Sequence, residues 1–271
     1  MFPILLYNNV MREIIFKIDD KNSGLMIRDF LRNFGVSSAL LTKLKQDENG
    51  IKLNGKFAKA IEVLKSGDNL TINIKNSGKM PEKFECENVK VAYNDEDILV
   101  LNKPPLMPVH ESRNHRGDTL ANVAACYMES DCAFRAVYRL DRDTSGLVLI
   151  AKNELAASKL AGKIKKDYYA VVSGKFEGRG TIDLPIRRVQ ESIIERGVFD
   201  DGERAITHYE AIKTDGENTL LKLSLETGRT HQIRVHFSHL GAPLLGDTLY
   251  GGNCEKINRH FTAKRYISPT L

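Results

Sequence analysis

From Val89 onward the chain is built from short apolar or β-branched runs set between turn residues: Val91, Ile98 to Leu101, Leu147 to Ala151, Tyr168 to Val172, Ala205 to Ala211 and Leu220 to Leu225. Runs of this length and composition read as strands. Fewer stretches carry helical spacing, near Leu120 to Met128, Glu154 to Ile164 and Thr230 to Leu240. Many strands with intermittent helices predict an α+β domain over residues 89–271, built on a large, mainly antiparallel mixed sheet. There is no internal repeat and no glycine-rich nucleotide loop, so neither ATP nor a dinucleotide is implied.

The 271 residues, 42% hydrophobic and 28% charged, leave room for a second, smaller unit. Residues 12–75 read as strand, two helices and a hairpin. Ser23 is placed to cap a helix carrying Ile27, Leu31 and Phe34, and Gly35 to stop it. Ser37 is placed to cap a second helix through Ala39, Leu40, Leu41 and Leu44, which leaves Lys43 and Lys45 for the surface. Ile51 and Leu53 run into an Asn54–Gly55 turn, and Gly67–Asp68 leads to a strand from Leu70 to Ile74. This order resembles the S4-type RNA-binding domain, a small α/β module whose helix pair presents basic residues to RNA. Charge placement agrees: residues 1–80 hold 13 Lys and Arg against 8 Asp and Glu, so the formal net charge of +5 lies entirely there. Residues 1–11 are an extension, and 76–88, with Asn76, Ser77, Gly78 and Pro81, a linker.

Cys86, Cys126, Cys132 and Cys254 form no CxxC pair, which argues against a zinc site and a disulfide framework and for reduced thiols in cytoplasm. The apolar start from Ile4 to Tyr7 is too short for a signal peptide, and no stretch approaches a membrane span.

Chemistry concentrates in four blocks. The first, Arg139-Leu140-Asp141-Arg142-Asp143-Thr144-Ser145-Gly146-Leu147, places an Asp beside an Arg in a loop that Thr144, Ser145 and Gly146 can fold tightly. A carboxylate so held is ionised and aimed. The second is Leu101-Asn102-Lys103-Pro104, continuing to Val109-His110. The third is Lys166-Asp167-Tyr168-Tyr169-Ala170-Val171-Val172-Ser173-Gly174, in which strand alternation sends Tyr168 and Tyr169 to opposite faces. The fourth is Thr227-Gly228-Arg229-Thr230-His231-Gln232-Ile233-Arg234-Val235-His236, followed by Gly246-Asp247 and Tyr250-Gly251-Gly252. Here Thr230 is placed to cap a helix whose buried stripe is Ile233, Phe237 and Leu240, turning Arg234 away from the core. His236 and His239 could form a ligand pair, but no third ligand completes a metal set.

Together the four blocks resemble the RluA-like pseudouridine synthases. The resemblance implies Asp141 as the catalytic carboxylate, Tyr168 as the active-site tyrosine and Arg234 as the partner of Asp141. It implies substrate-facing places for Arg139 and His110, and Arg229 is placed to hold a phosphate near the helix start. Lys43 and Lys45 are the expected RNA contacts of the small unit. Leu106 stands where the family usually has Gly, Glu111 where it has Pro, and Tyr138 where many relatives have His. The final strand, around Lys264 to Ser268, is expected to be short. The implied reaction adds and removes no atoms, so it needs no cofactor. The implied partner is RNA, ribosomal first and transfer RNA second, with the protein acting as a monomer. Taken alone, Asp141 is also an ordinary turn-bracing residue. Two other readings stay open: a noncatalytic RNA-binding protein, and a glycosidase-like hydrolase using Asp143 as a second acid.

Overall fold

The computed structural model describes residues 4–8, 11–75, 78–128, 132–190, 192, 194–251 and 267–268. Asn76, Ser77, Gly252, Cys254 and residues 264–266, singled out above, lie outside them. The chain divides into two compact units, the first formed by Met1–Lys103, Met107–Arg139 and Val148–Lys163, the second by Pro104–Leu106, Leu140–Leu147 and Ile164–Leu271.

In the first unit, β1 (Ile4–Asn8), β2 (Met11–Lys17), α1 (Ile27–Phe34), α2 (Ser38–Gln46), β3 (Ile51–Leu53), β4 (Lys56–Phe57) and β5 (Asn69–Lys75) make an antiparallel sheet of order β1-β2-β5-β3-β4 with two helices. Alternation along β2 sends Ile14 and Phe16 inward, where they face Ile72 and Leu70 of β5. The rings of Phe30 and Phe34 on α1 meet Phe16 edge-on at 5.2 and 4.6 Å. Asn54 and Gly55 both take positive φ, 52° and 79°, as the two-residue turn between β3 and β4 requires.

Ser37 caps α2 as its position suggests, accepting the Leu40 N–H at 3.2 Å. Ser23 does not cap α1. The cap residue is Met26, and the exposed N–H groups of Ile27 and Arg28 go instead to the carbonyls of Glu62 and Ala60, each at 2.9 Å. A neighbouring chain segment thus does the work of a capping side chain, and the Ser23 hydroxyl accepts the Ser66 N–H. Gly35 ends the helix in the left-handed region, φ 109°.

A further sheet has the order β6 (Lys90–Asn94), β7 (Ile98–Lys103) and β8 (Gly146–Ala151), and the first unit holds it from Val148 onward in β8, with α3 (Leu120–Ala124) and α4 (Glu154–Leu160). Helix α4 belongs to the N-terminal core: Leu155 joins the cluster of Ile14, Phe16 and Ile72. The Ser158 hydroxyl donates to the Gly35 carbonyl at 2.7 Å, and the Lys159 ammonium sits 3.6 Å from the centre of the Phe34 ring.

In the second unit, β9 (Lys165–Ser173), β10 (Arg179–Asp183), β13 (Ile206–Thr214), β14 (Asn218–Leu225) and β15 (Ile267–Ser268) pair antiparallel in the order β10-β13-β14-β9-β15. Between β10 and β13 stands a separate hairpin of β11 (Ile186–Arg188) and β12 (Arg196–Val198). Helix α5 (Gln232–His239) packs Phe237 on the sheet among Val172, Leu221 and Leu223. Both units combine antiparallel sheets with few helices, an α+β architecture. Of the expected final strand, the described residues are Ile267–Ser268.

Leu106 keeps the backbone that glycine would take, at φ 66°, and the residue is 70% exposed. A left-handed Leu costs about 1–2 kcal/mol, and glycine returns part of that as unfolded-state entropy. Leu106→Gly is therefore expected to raise stability by about 0.5–1 kcal/mol, seen as a melting temperature about 1–3 °C higher. A lower melting temperature would mean that the leucine side chain makes a stabilising contact.

Candidate active site

The loop carrying Asp141 is short and anchored at both ends. Leu140 is buried, the Thr144 N–H closes a turn on the Asp141 carbonyl at 3.1 Å, and Gly146 opens β8 at φ 129°. Between those anchors the Asp141 side chain is 29% exposed, and its Oδ2 lies 3.9 Å from Nη1 of Arg234.

Arg234 comes from α5, where Val235, His236 and Phe237 are buried, Ile233 is partly buried, and Leu240 is exposed rather than part of the stripe. The guanidinium makes a two-bonded fork with Asp247, Nε to Oδ2 at 2.7 Å and Nη2 to Oδ1 at 2.8 Å. Tyr250 lies against it, the guanidinium carbon 4.9 Å from the ring centre. Burial alone would lower the Arg234 pKa, but the hydrogen bonds and charge of Asp247, and then the charge of Asp141, outweigh it and raise it. Arg234 is a permanent cation shared by two carboxylates.

The helix start is not capped by Thr230. His231 occupies that position at φ 58°, a strained backbone for a residue with a Cβ. Its Nδ1 lies 2.8 Å from the Tyr250 hydroxyl, which accepts the Arg196 N–H of β12 at 3.0 Å and can donate its own proton to the imidazole. Burial first, offset by Asp141 and reinforced by Arg234 and Arg196, holds the His231 pKa below the usual imidazole value. Burial also raises the Tyr250 phenol. Both groups are therefore neutral near pH 7.

Gln232, 2% exposed, fixes this corner. Its Nε2 donates to the Ile206 carbonyl at 2.9 Å and the Thr207 hydroxyl at 3.1 Å, while its Oε1 accepts the Thr227 hydroxyl and the Arg229 N–H. His236 is a core histidine: Nε2 donates to the Leu184 carbonyl at 3.0 Å and Nδ1 accepts from Thr207 at 2.9 Å. Burial lowers its pKa, and both ring nitrogens have protein partners. Among the described residues no three His, Cys, Asp or Glu side chains are grouped to hold a metal ion.

The remaining expected residues fall as follows. Tyr168 lies opposite Leu223, on the sheet face shared with Ala170, Ile233 and Phe237. Tyr169 lies on the other face, beside the Lys222–Asp167 pair at 2.9 Å. Arg229 forms an ion pair with Glu203 and donates from Nε to the Arg204 carbonyl. Asp143 is exposed and paired with Arg142 at 2.8 Å. His110 and Arg139 belong to the first unit. The His110 ring meets Phe134 edge-on at 5.2 Å, and lost hydration, then the charge of Arg139, lowers its pKa. Lys43 and Lys45 are exposed on α2, Lys43 reaching Glu154 at 2.5 Å.

Asp247, Tyr250 and His231 carry no role on sequence alone, although Asp247 and Tyr250 stand in the Gly246-Asp247 and Tyr250-Gly251 run and His231 in the run from Thr227 to His236.

The family described as RNA pseudouridylate synthase matches residues 97–239. The chain is 38% identical over 260 residues to the uncharacterized RNA pseudouridine synthase YjbO of Bacillus subtilis (strain 168), covering 90% of each chain. It is 37% identical over 211 residues to ribosomal large subunit pseudouridine synthase D of Pseudomonas aeruginosa, covering 74% of this chain and 66% of that one. Among solved structures it is similar to human RNA pseudouridylate synthase domain containing 1, with TM-score 0.53 and 28% identity over 69% of this chain and 79% of that one.

Proposed function

The chain belongs to the RNA pseudouridylate synthase family, and from that premise we propose that it isomerises a specific uridine of large-subunit ribosomal RNA with Asp141 as the catalytic carboxylate. The reaction breaks the bond from uracil N1 to ribose C1′, turns the base and joins C1′ to C5. The C5 hydrogen is lost as a proton and N1 takes one up, so atoms and electrons balance within the nucleotide. The enzyme must reach a glycosidic carbon that a stacked base hides, stabilise separated charge and accept one proton.

One observation carries the assignment: the motif carboxylate of Asp141 is partly shielded from water and 3.9 Å from a cation fixed by a second carboxylate. A cation fixed at that distance attracts the carboxylate without bonding it. The carboxylate is suited to attack the sugar, to attack the base or to remove a ribose proton. Tyr168 supplies an aromatic wall and a hydroxyl for the C5 proton. A backbone phosphate would reach Arg229 by displacing Glu203. His110 and Arg139 are given substrate-facing places by the family resemblance alone. The ribosomal substrate is supported by the name of the Pseudomonas aeruginosa relative, and it fits a monomer acting in cytoplasm.

Purified protein incubated with transcripts of large-subunit ribosomal RNA and with transfer RNA tests the proposal. Pseudouridine at one or a few ribosomal positions is expected. Modification of transfer RNA alone would change the substrate, and free uracil would contradict isomerisation.

The first 75 residues are proposed as an S4-type RNA-binding module, with α1 and α2 facing RNA. Replacing Lys43 and Lys45 with Gln should weaken RNA binding and flatten its dependence on log salt by roughly one unit per lost phosphate contact. Lys45 should carry the larger share, because Glu154 already engages Lys43. Unchanged affinity and slope in a filter-binding titration would move the RNA face elsewhere.

A further inference from the structure

We propose that Asp247 is a positioning residue for the isomerisation: it takes one edge of the Arg234 guanidinium so that the arginine neutralises Asp141 from a distance without closing on it. The inference rests on Asp141 being the catalytic carboxylate.

An arginine meeting a carboxylate in a partly buried place tends to form a fork of two parallel hydrogen bonds. Had Asp141 that fork, each of its oxygens would accept a charge-assisted hydrogen bond, and such bonds make a carboxylate a weaker nucleophile and a weaker base. Here Asp247 has the fork, at 2.7 and 2.8 Å, leaving Nη1 to face Asp141 at 3.9 Å. At that distance there is attraction without a hydrogen bond.

Asp247 is itself held. It is 8% exposed, its Oδ1 also accepts the Tyr250 N–H at 3.3 Å, and its own N–H bonds the Leu244 carbonyl at 3.1 Å. Tyr250 completes the clamp by covering the guanidinium with its ring and tying its hydroxyl to β12 and to His231. Among the described residues, the charged and titratable groups that act on Arg234 are Asp247, Asp141 and Tyr250, and Arg234 in turn acts on His231. Only Asp247 combines a full charge, a fork and near-complete burial.

The test compares kcat and KM for pseudouridine formation on the modified ribosomal transcript. Asp247→Asn keeps the side chain's shape but cannot hold the fork by charge. The expected result is a fall in kcat of about 10- to 100-fold with KM within about 3-fold, because the arm that turns toward Asp141 is misplaced while RNA contacts are not. Asp247→Glu keeps the neutralising charge, and therefore the fold, but lengthens the arm by one methylene. It is expected to lose kcat similarly and covers the case in which Asp247→Asn does not fold. Adding Asp247→Asn to Arg234→Lys, which cannot make the fork, should cost no further activity. Wild-type kcat in Asp247→Glu, a loss wholly in KM, or additive effects in the double variant would each overturn the proposal. Asp141→Asn assayed alongside separates the two ideas. If it is fully active, the assignment of Asp141 fails; if it is inactive while the Asp247 variants keep wild-type kcat, the clamp alone fails.

Discussion

Arg234→Met is expected to destabilise the protein by about 3–5 kcal/mol and to lower turnover by about 10²- to 10³-fold. Methionine keeps most of the arginine's length and apolar stem, so the change removes charge and hydrogen bonds rather than packing volume. What remains is the Asp247 carboxylate, its side chain 6% exposed, with both fork bonds gone. Breaking one half of a buried pair is costly because the other half stays buried and charged. The catalytic loss has a separate origin, since Asp141 then lacks the cation 3.9 Å away. Denaturant unfolding and single-turnover pseudouridine formation read the two losses apart. Stability within about 1 kcal/mol of wild type would mean that Asp247 finds another partner or leaves the interior.

Asp141→Asn should behave in the opposite way, inactive by at least about 10³-fold in kcat yet almost as stable as wild type and with RNA affinity nearly unchanged. The side chain is 29% exposed and makes no close hydrogen bond to Arg234, so losing its charge removes little from the fold. Tyr138→His, which restores the commoner family residue, should by comparison keep most activity. The contrast among Arg234→Met, Asp141→Asn and Tyr138→His separates what holds the site from what performs the chemistry.

The strands that bury an alternating face were readable from sequence. Ile98 to Leu101, Tyr168 to Val172 and Leu220 to Leu225 fall within β7, β9 and β14 because apolar runs between turns have few other stable arrangements. Strands β11 and β12 were not readable: Ile186-Arg187-Arg188 and Arg196-Gly197-Val198 are short, rich in Arg and form a sheet of two strands. Helix starts misled for a related reason. Ser23 and Thr230 have the chemistry of caps, but Ala60 and Glu62 supply the first turn of α1, and a strained His231 takes the cap position of α5. Both outcomes depend on chain segments that meet only in the folded protein.

The candidate site divides in the same way. Asp141 and Arg234 stand out because each sits in a distinctive run of residues. Asp247 lies 13 residues beyond Arg234 across the end of a helix and a turn, and no periodicity links them. Gln232 reads as an ordinary polar helix residue until its four hydrogen bonds join β13, the 227–229 loop and α5.

The most direct measurement is single-nucleotide mapping of pseudouridine in a large-subunit ribosomal RNA transcript after incubation with purified wild-type protein or with Asp141→Asn. The expected result is conversion at one or a few defined uridines by wild type and none by Asp141→Asn, with equal RNA binding by both. Conversion by Asp141→Asn at the wild-type rate would contradict the central role given to Asp141.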